Sequence, residues 1–184
     1  MASLSILIPY TKERLKMFSS LRAELIKQSK GFDVEILRDP REELSIGEKR
    51  NWLLDKASKE YVCFIDSDDD VSRDYIEKVF DGINKGVDCC SLRGVITWDG
   101  RNPETFEHSI KYKAYQTTNN DIKYERYPNH LNVIKSSIAK QFKFPEINHG
   151  EDTDWATQMF NSGLIKSEHY IDKVIYYYKY VTNK

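Results

Sequence analysis

The chain has little of what marks a secreted, membrane-embedded or nucleic-acid-binding protein. Its three cysteines are odd in number and lack metal-ligand spacing, so we expect all three to be reduced and the protein to be cytoplasmic. The N-terminus lacks a signal-peptide pattern, and no apolar run approaches the length of a bilayer span, which predicts no integral membrane segment. The net charge of -1 gives no electrostatic case for nucleic acid as a partner.

The composition is that of a folded protein. Hydrophobic residues make up 40% and charged residues 31% of the 184 positions, which is enough for a core in a single domain. No internal repeat, low-complexity segment or linker divides the chain. We therefore expect one domain over residues 1–184.

The first half alternates short apolar runs with amphipathic segments. Such alternation predicts an α/β fold with a Rossmann-like, mostly parallel sheet flanked by helices. Thr11 is a plausible N-cap of the first helix, whose apolar face is predicted to be Leu15, Phe18, Leu21 and Leu25. Ser45 and Glu48 have the spacing of a capping box at the second helix. The predicted strands are 4–8, 32–37 and 61–65, and the predicted helices begin near residues 12, 45 and 72.

The second half has a less regular pattern. Residues 91–98 are predicted to form a strand, 99–103 a turn, 108–118 a sheet ribbon and 119–129 a loop. Helices are predicted over 132–142 and 151–162, with a final strand over 165–180.

Four carboxylates directly follow the buried strand at 61–65. Asp66, Asp68, Asp69 and Asp70 repel one another there, and each loses solvation unless a cation compensates. A solvated acidic turn is the ordinary explanation of such a run. The position at the carboxyl end of a buried strand favours a divalent metal instead, because ligands bind at that edge of open α/β sheets.

Three further polar residues are predicted to lie near the same edge. Arg50 sits beside the apolar stripe of the second helix, where a charge is costly unless it meets an anion. Asn51 is next to it and could complete a polar site. Asp39 closes the second strand, where mononucleotide folds contact the nucleoside, although Asp-Pro is also an ordinary turn signal.

Acidic residues also open the helix predicted over 151–162. Glu151 and Asp152 complement the helix dipole, which explains most such cases. The same dipole keeps a carboxylate ionised, as a general base for a hydroxyl requires. His130 and His149 are the two histidines near another candidate residue.

Together these positions resemble the GT-A glycosyltransferases, in particular the inverting family 2 enzymes. The order and spacing of the segments match that family over nearly the whole chain. The matching segments are Ser5-Ile6-Leu7-Ile8-Pro9-Tyr10, Asp39, Gly47-Glu48-Lys49-Arg50-Asn51, Tyr61 to Asp69, and Gly150-Glu151-Asp152-Thr153-Asp154.

The resemblance implies a GT-A fold that binds a nucleotide sugar, typically a UDP-sugar, in residues 1–98. Residues 99–184 would then bind a glycan or glycoconjugate acceptor and supply the catalytic base. Asp66-Ser67-Asp68 resembles the DxD motif, in which Asp68 would hold Mn²⁺ or Mg²⁺ and Asp66 would face the ribose or the metal. The residues implied to contact the nucleotide sugar are Pro9, Tyr10, Arg14, Asp39, Arg50, Asn51, Asp66, Ser67, Asp68 and Glu151.

By the same resemblance Asp152 is the catalytic base, which would take the proton from the acceptor hydroxyl. A single displacement at the anomeric carbon would then invert its configuration. Many relatives carry a histidine late in the chain that completes the metal shell, but no histidine follows Tyr178 here. His130, His149 or water would have to take that place.

Two alternatives remain beside a transferase. A non-catalytic module could bind a nucleotide sugar and metal, although Asp152 would then have no role. A sugar-phosphate nucleotidyltransferase would share the fold and a metal-binding aspartate. That class needs a glycine-rich loop after the first strand, and residues 9–13 contain no glycine.

Overall fold

The computed structural model describes residues 1–181, so the last three residues of the predicted acceptor half lie outside the described part. Within these limits the chain forms five α-helices and twelve strands, in an α/β arrangement. The helices are α1 (Leu15–Gln28), α2 (Ile46–Lys56), α3 (Tyr75–Ile83), α4 (Ser136–Ala139) and α5 (Glu151–Ser162). The strands are β1 (Ser3–Pro9), β2 (Asp33–Asp39), β3 (Tyr61–Phe64), β4 (Asp70–Val71), β5 (Cys89–Cys90), β6 (Leu92–Trp98), β7 (Arg101–His108), β8 (Gln116–Thr117), β9 (Tyr124–Arg126), β10 (Ile134–Lys135), β11 (Glu168–His169) and β12 (Val174–Tyr180).

The first sheet is built around the three strands predicted in the first half. Its order is β11-β5-β10-β3-β1-β2, and β1 pairs in parallel with both β2 and β3. Pro9 is opposite Asp39 in this register, and the amide of Ile65 donates to the carbonyl of Leu7. The carboxyl ends of β1, β2 and β3 therefore meet at one edge, as predicted.

Side-chain capping defines the start of α2, whereas α1, α3, α4 and α5 begin without a side-chain cap hydrogen bond. The predicted capping box of α2 is confirmed, because Ser45 Oγ accepts from the Glu48 amide and the Glu48 carboxylate accepts from the Ser45 amide. The start of α1 was predicted three residues early, since a 3₁₀ turn precedes it. The inward placement of Leu15 is wrong: its surface is 50% exposed, whereas Phe18, Leu21 and Leu25 are buried.

The second sheet has the order β4-β12-β6-β7-β9-β8 and contains both parallel and antiparallel pairs. Here the sequence-based boundaries fail most often. The helix predicted over 132–142 is wrong, because that segment gives β10 and the single turn of α4. The ribbon over 108–118 is wrong apart from β8, β9 falls inside the predicted loop, and the predicted strand 165–180 is divided into β11 and β12.

A second apolar cluster lies under α2 and α5, on the opposite face of the first sheet from α1 and α3. Phe144 is at its centre, stacked on Trp155 at 4.8 Å and edge-on to Phe64 at 5.4 Å. Gly47 lets α2 approach this segment closely, since a Cβ there would lie 1.8 Å from the carbonyl oxygen of Pro145. The cluster therefore fixes α2 and α5 side by side at the sheet edge.

Cys63, Cys89 and Cys90 are buried and unpaired, as predicted. Among residues 1–181, no helix combines the length and apolarity required to cross a bilayer.

Candidate functional site

A cavity of about 800 Å³ opens at the carboxyl edge of the first sheet and continues along the second sheet. Its wall contains Arg14, Arg50, Asp66, His130 and Asp152, all brought from separate parts of the sequence. A smaller concavity of about 650 Å³ lies between α1 and β4, where Asp74 and Lys173 pair with each other. The larger cavity holds the predicted residues and is the candidate site.

Arg50 lies at the base of the cavity, between two acids. Its Nε donates to Glu151 Oε1 at 3.1 Å, and its Nη2 donates to Asp66 Oδ1 at 3.0 Å. Only 4% of its side chain is exposed, and its Cζ lies 5.2 Å from the centroid of Phe64. The prediction that a buried Arg50 must meet an anion is therefore confirmed, with two anions rather than one.

His130 stands between the two acids that were predicted for the chemistry. Its Nε2 is 3.8 Å from Asp66 Oδ2, and its Nδ1 is 3.5 Å from Asp152 Oδ2. Burial by itself would raise the pKa of Asp66, but Arg50 and His130 outweigh it and hold that pKa well below its usual range. Asp66 is therefore held as an anion, and His130 lies between it and Asp152, within ion-pair distance of both.

Asp152 is presented to the cavity by the first turn of α5. Gly150, at φ 84°, provides the left-handed residue that precedes the helix, and one third of the Asp152 side chain is exposed. Its neighbour Glu151 is turned inward to Arg50, with only 6% of its side chain exposed. The two adjacent acids thus have different positions, one paired and buried, the other open to the cavity.

Asp68 lies beside the cavity at the end of β3. Its side chain is 9% exposed, and its Oδ1 accepts from Arg14 Nη1 at 3.0 Å. Ser67, predicted to contact the nucleotide, is fully buried. Its role stays a prediction.

The other two acids of the run, Asp69 and Asp70, do not cap α3, whose N-cap residue is Asp74. Asp69 is buried, and its carboxylate accepts from Tyr176 Oη at 2.8 Å and from the Lys179 amide at 2.9 Å. Burial, together with the nearby Asp66 carboxylate, raises the pKa of Asp69 well above its usual value. Asp70 belongs to β4 and pairs with Lys179. Asp69 therefore joins the end of β3 to the second sheet.

The predicted base-binding aspartate is closed off in this structure. Asp39 has no exposed side-chain surface, and Arg41 binds both of its oxygens, with Nε 2.9 Å from Oδ1. The guanidinium of Arg41 also lies 4.5 Å from the ring centroid of Trp52. A nucleobase could reach the Asp39 carboxylate only if Arg41 releases one oxygen.

Three other predicted residues are positioned as follows. Pro9 and Tyr10 are buried, and Tyr10 stacks on Phe18 at 4.2 Å. The Asn51 side chain exchanges two 2.9 Å hydrogen bonds with the backbone of Phe144. It therefore supports the wall between α2 and α5 rather than facing the cavity, and its contact with a nucleotide stays a prediction.

The donor set fits a metal that arrives with a phosphate ligand. Among residues 1–181, no group of three His, Cys, Asp or Glu side chains is arranged to hold a metal ion by itself. Asp66 and Asp68 offer hard oxygen ligands at one strand end, and Mg²⁺ commonly takes its remaining ligands from water and substrate phosphates. A divalent ion bound jointly by a carboxylate and a diphosphate is compatible with this geometry.

Sequence reasoning missed the far wall of the cavity. His108, Tyr115 and Arg126 line it, together with rings from β6, β9 and β12. Burial and the nearby His130 and Arg126 lower the pKa of His108 to about 3, so this imidazole is neutral at physiological pH. The alternation of residues 106–108 along β7 places His108 on the cavity side. That alternation was the available signal, but the elements predicted nearby are a turn over 99–103 and a ribbon that begins only at residue 108.

Comparison with solved structures identifies the fold. The chain is similar to S. aureus TarS 1-349 in complex with UDP-GlcNAc, at 16% identity and a TM-score of 0.67, covering 99% of this chain and 60% of that one. The crystal structure of TarS 1-349 in complex with UDP gives 16% identity and a TM-score of 0.65, over 97% and 60%. The chain thus spans about 60% of the length of these TarS chains. The likeness confirms the predicted GT-A fold.

A family comparison covers most of the sequence. No curated protein matches the chain. The model of glycosyl transferase family 2 matches residues 10–146, a region that includes Asp39, the Arg50 helix and the acidic run. The chain therefore belongs to glycosyl transferase family 2.

Proposed function

We propose that the protein transfers a sugar from a nucleotide-sugar donor, specifically a UDP-sugar, to a hydroxyl of a glycan or glycoconjugate. The observation that carries this proposal is the shared cavity wall. Asp66, beside Asp68 at the end of β3, and Asp152 at the start of α5 face the same 800 Å³ space. The likeness to a TarS structure determined with UDP-GlcNAc supports the choice of a UDP-sugar.

Asp152 is proposed as the base. Its position in the first turn of α5 presents the carboxylate to the cavity, and its exposed third can reach a bound hydroxyl. The carboxylate takes the hydroxyl proton as the acceptor oxygen attacks the anomeric carbon. The bond between that carbon and the diphosphate oxygen breaks with its electron pair leaving on the diphosphate. This single displacement inverts the anomeric configuration.

The other charged residues prepare this step. His130, 3.5 Å from Asp152 Oδ2, orients the base, and Arg50 holds Asp66 and Glu151 in place. Arg14 brings positive charge to the edge where the leaving diphosphate would lie. When bound, Mn²⁺ or Mg²⁺ would be held by Asp68, with Asp66 or His130 nearby, and would neutralise negative charge on the diphosphate.

Calorimetry with UDP, with and without Mn²⁺, tests the donor site. We expect UDP to bind, binding to strengthen with Mn²⁺, and Asp68→Ala to abolish the metal effect. A UDP affinity that changes neither with the metal nor with Asp68→Ala would contradict the metal assignment. Absence of UDP binding would contradict the donor assignment.

Asp152→Asn tests the base. This variant should bind UDP normally and lose transfer or slow UDP-sugar hydrolysis by about 10²-fold or more. Asp154→Asn is the matched control, because Asp154 is exposed in the same helical turn and its carboxylate accepts a hydrogen bond from Gln158. Full activity of Asp152→Asn would show that another residue acts as the base. A wild-type protein that binds a UDP-sugar without ever cleaving it would be a non-catalytic binding module.

A cytoplasmic location is part of the same proposal. Three cysteines that are buried and unpaired support it, because none of them depends on an oxidising environment.

A further inference from the structure

The far wall of the cavity contains an arginine, Arg126, whose hydrogen bonds differ from those of the other arginines in the cavity. Arg126, at the end of β9, donates from Nη1 to the carbonyls of Gln116 and Glu125 at 2.7 and 3.0 Å. Within residues 1–181 it has no carboxylate partner, whereas Arg14 and Arg50, elsewhere in the same cavity, are both paired with acids. Its remaining N–H groups are therefore available to an anion from outside the chain.

Aromatic rings position this guanidinium. Its Cζ lies 4.9 Å from the ring centroid of Tyr115 and 5.5 Å from that of Tyr124. Burial lowers the pKa of Arg126 from its ordinary value, which shows that the charge has lost solvation without an acid to compensate it. A half-buried arginine between two rings is pre-organised, because little side-chain entropy remains to be lost on binding.

The same wall connects Arg126 to the proposed base. Burial raises the pKa of the Tyr115 phenol, and the Asp152 carboxylate contributes to the shift, so Tyr115 lies within electrostatic reach of both groups. Tyr115 Oη and His108 Nδ1 are buried without a hydrogen bond of good geometry in the described part of the chain, although Asn129 lies close enough to affect the pKa of both groups. Unmade hydrogen bonds of this kind are costly and point to a polar ligand.

Further along the wall, Trp98 and Tyr180 form a ring pair with centroids 4.8 Å apart. Flat aromatic surface beside hydroxyl-binding groups suits the apolar face of a sugar ring. The wall therefore combines stacking surface, neutral hydrogen-bonding groups and one cation.

We propose that Arg126 is an anion-binding subsite for the acceptor, so that the preferred acceptor is a glycan or glycoconjugate bearing a phosphate or carboxylate near the hydroxyl that is modified. The sugar ring packs against the aromatic wall, and its anionic group forms charge-assisted hydrogen bonds with Arg126. This inference rests on the proposed transferase function, because it names the class of acceptor for that site.

Matched sugars test the subsite directly. Ligand-observed NMR would compare binding of p-nitrophenyl β-glucoside, its 6-phosphate and p-nitrophenyl β-glucuronide to the full chain saturated with UDP and Mn²⁺. We expect at least one anionic sugar to bind roughly tenfold more tightly than the neutral one, and the preference to shrink as salt increases. The phosphate and the glucuronide separate the two sources of negative charge.

Arg126→Gln should abolish the preference while leaving UDP affinity unchanged. Arg101→Gln, which removes an exposed arginine of β7 in the same sheet, is the control and should keep the preference. If Arg126→Gln does not fold, Arg126→Lys replaces it and should weaken the preference several-fold, since lysine lacks the planar fork.

Two results would overturn the inference. One is a wild-type protein that binds UDP and shows no preference for either anionic sugar. The other is a preference that survives in folded Arg126→Gln. Failure to bind UDP would refute the proposed function instead, and the sugar comparison, repeated without UDP, would still decide whether Arg126 binds anions.

Discussion

Replacing Glu107 by glutamine should destabilise the protein and disturb the far wall of the cavity. The Glu107 side chain is fully buried in β7, on the opposite side of the strand from His108. It accepts from Tyr170 Oη at 2.6 Å and Tyr112 Oη at 2.8 Å, and it pairs with Arg93 at 2.9 Å. Glutamine keeps the shape of the side chain but removes the charge that gathers these donors.

The magnitude follows from the pKa of Glu107. Burial opposes ionisation, but Lys111, the two tyrosines and Arg93 together lower the pKa from 4.5 to about 2. A pKa shift of one unit corresponds to roughly 1.4 kcal/mol, so the ionised Glu107 contributes at most about 3 kcal/mol to the free energy of unfolding. Because Lys111 and Arg93 are 51% and 25% exposed, solvent screening reduces the expected loss to about 2 kcal/mol.

The sign of the pH dependence is fixed by the lowered pKa. A folded-state pKa below the unfolded value gives stability that is complete above about pH 4.5 and is lost as the pH falls toward about 2. Urea unfolding followed by tryptophan fluorescence, at pH 7 and near pH 3, would measure it. Glu107→Gln should differ from the wild type at pH 7 and approach it in acid. Exposed Glu77→Gln is the control and should change stability by less than about 0.5 kcal/mol. An equal loss at both pH values, or none at pH 7, would refute the reasoning.

Two further variants test the contacts that hold α2 in place on the donor side of the cavity. Arg50→Met should cost about 3–5 kcal/mol, because it leaves two carboxylates without their buried cation, and adding Glu151→Gln should recover part of the loss in urea unfolding. Strictly additive effects would contradict the pairing. Gly47→Ala should cost about 3 kcal/mol, since its Cβ would collide with the carbonyl of Pro145, whereas Gly86→Ala, at φ 74° in open space, should cost about 1 kcal/mol. Thermal unfolding that ranks the two glycines in the opposite order would exclude the close approach.

Much of the donor half could be predicted because its signals are local. The capping box at Ser45, the apolar run before Asp66 and the charge at Arg50 each depend on a few neighbouring residues. The carboxyl ends of parallel strands meet at one edge, so assuming a parallel sheet was enough to place Asp39 and Asp66 together, and the structure has this pairing. The predicted burial of Leu15 is wrong because a 3₁₀ turn occupies residues 12–14. The α-helix therefore begins three residues later than predicted, and Leu15 lies in its exposed first turn.

The acceptor half could not be predicted in the same way. Its strands β8, β9, β10 and β11 have only two or three residues each, too few to show a period. Residues 132–142 contain apolar positions compatible with a helix, yet pairing of β10 with β3 and β5 holds the first part extended. Arg126 and Tyr115 owe their shared position to the antiparallel pairing of β8 with β9, two strands that are too short to be recognised from the sequence.

The bond from Asp69 to β12 has a consequence for how the protein acquires its function. Tyr176 and Lys179 are separated from Asp69 by 107 and 110 residues, so this connection closes one of the longest loops in the chain. Contacts of such separation form slowly, since the entropy of loop closure must be overcome first. An intermediate with a collapsed first sheet and an undocked β12 would leave the acidic run without its anchor. The ability to bind the donor should therefore appear in the last step of refolding, later than the recovery of helical structure.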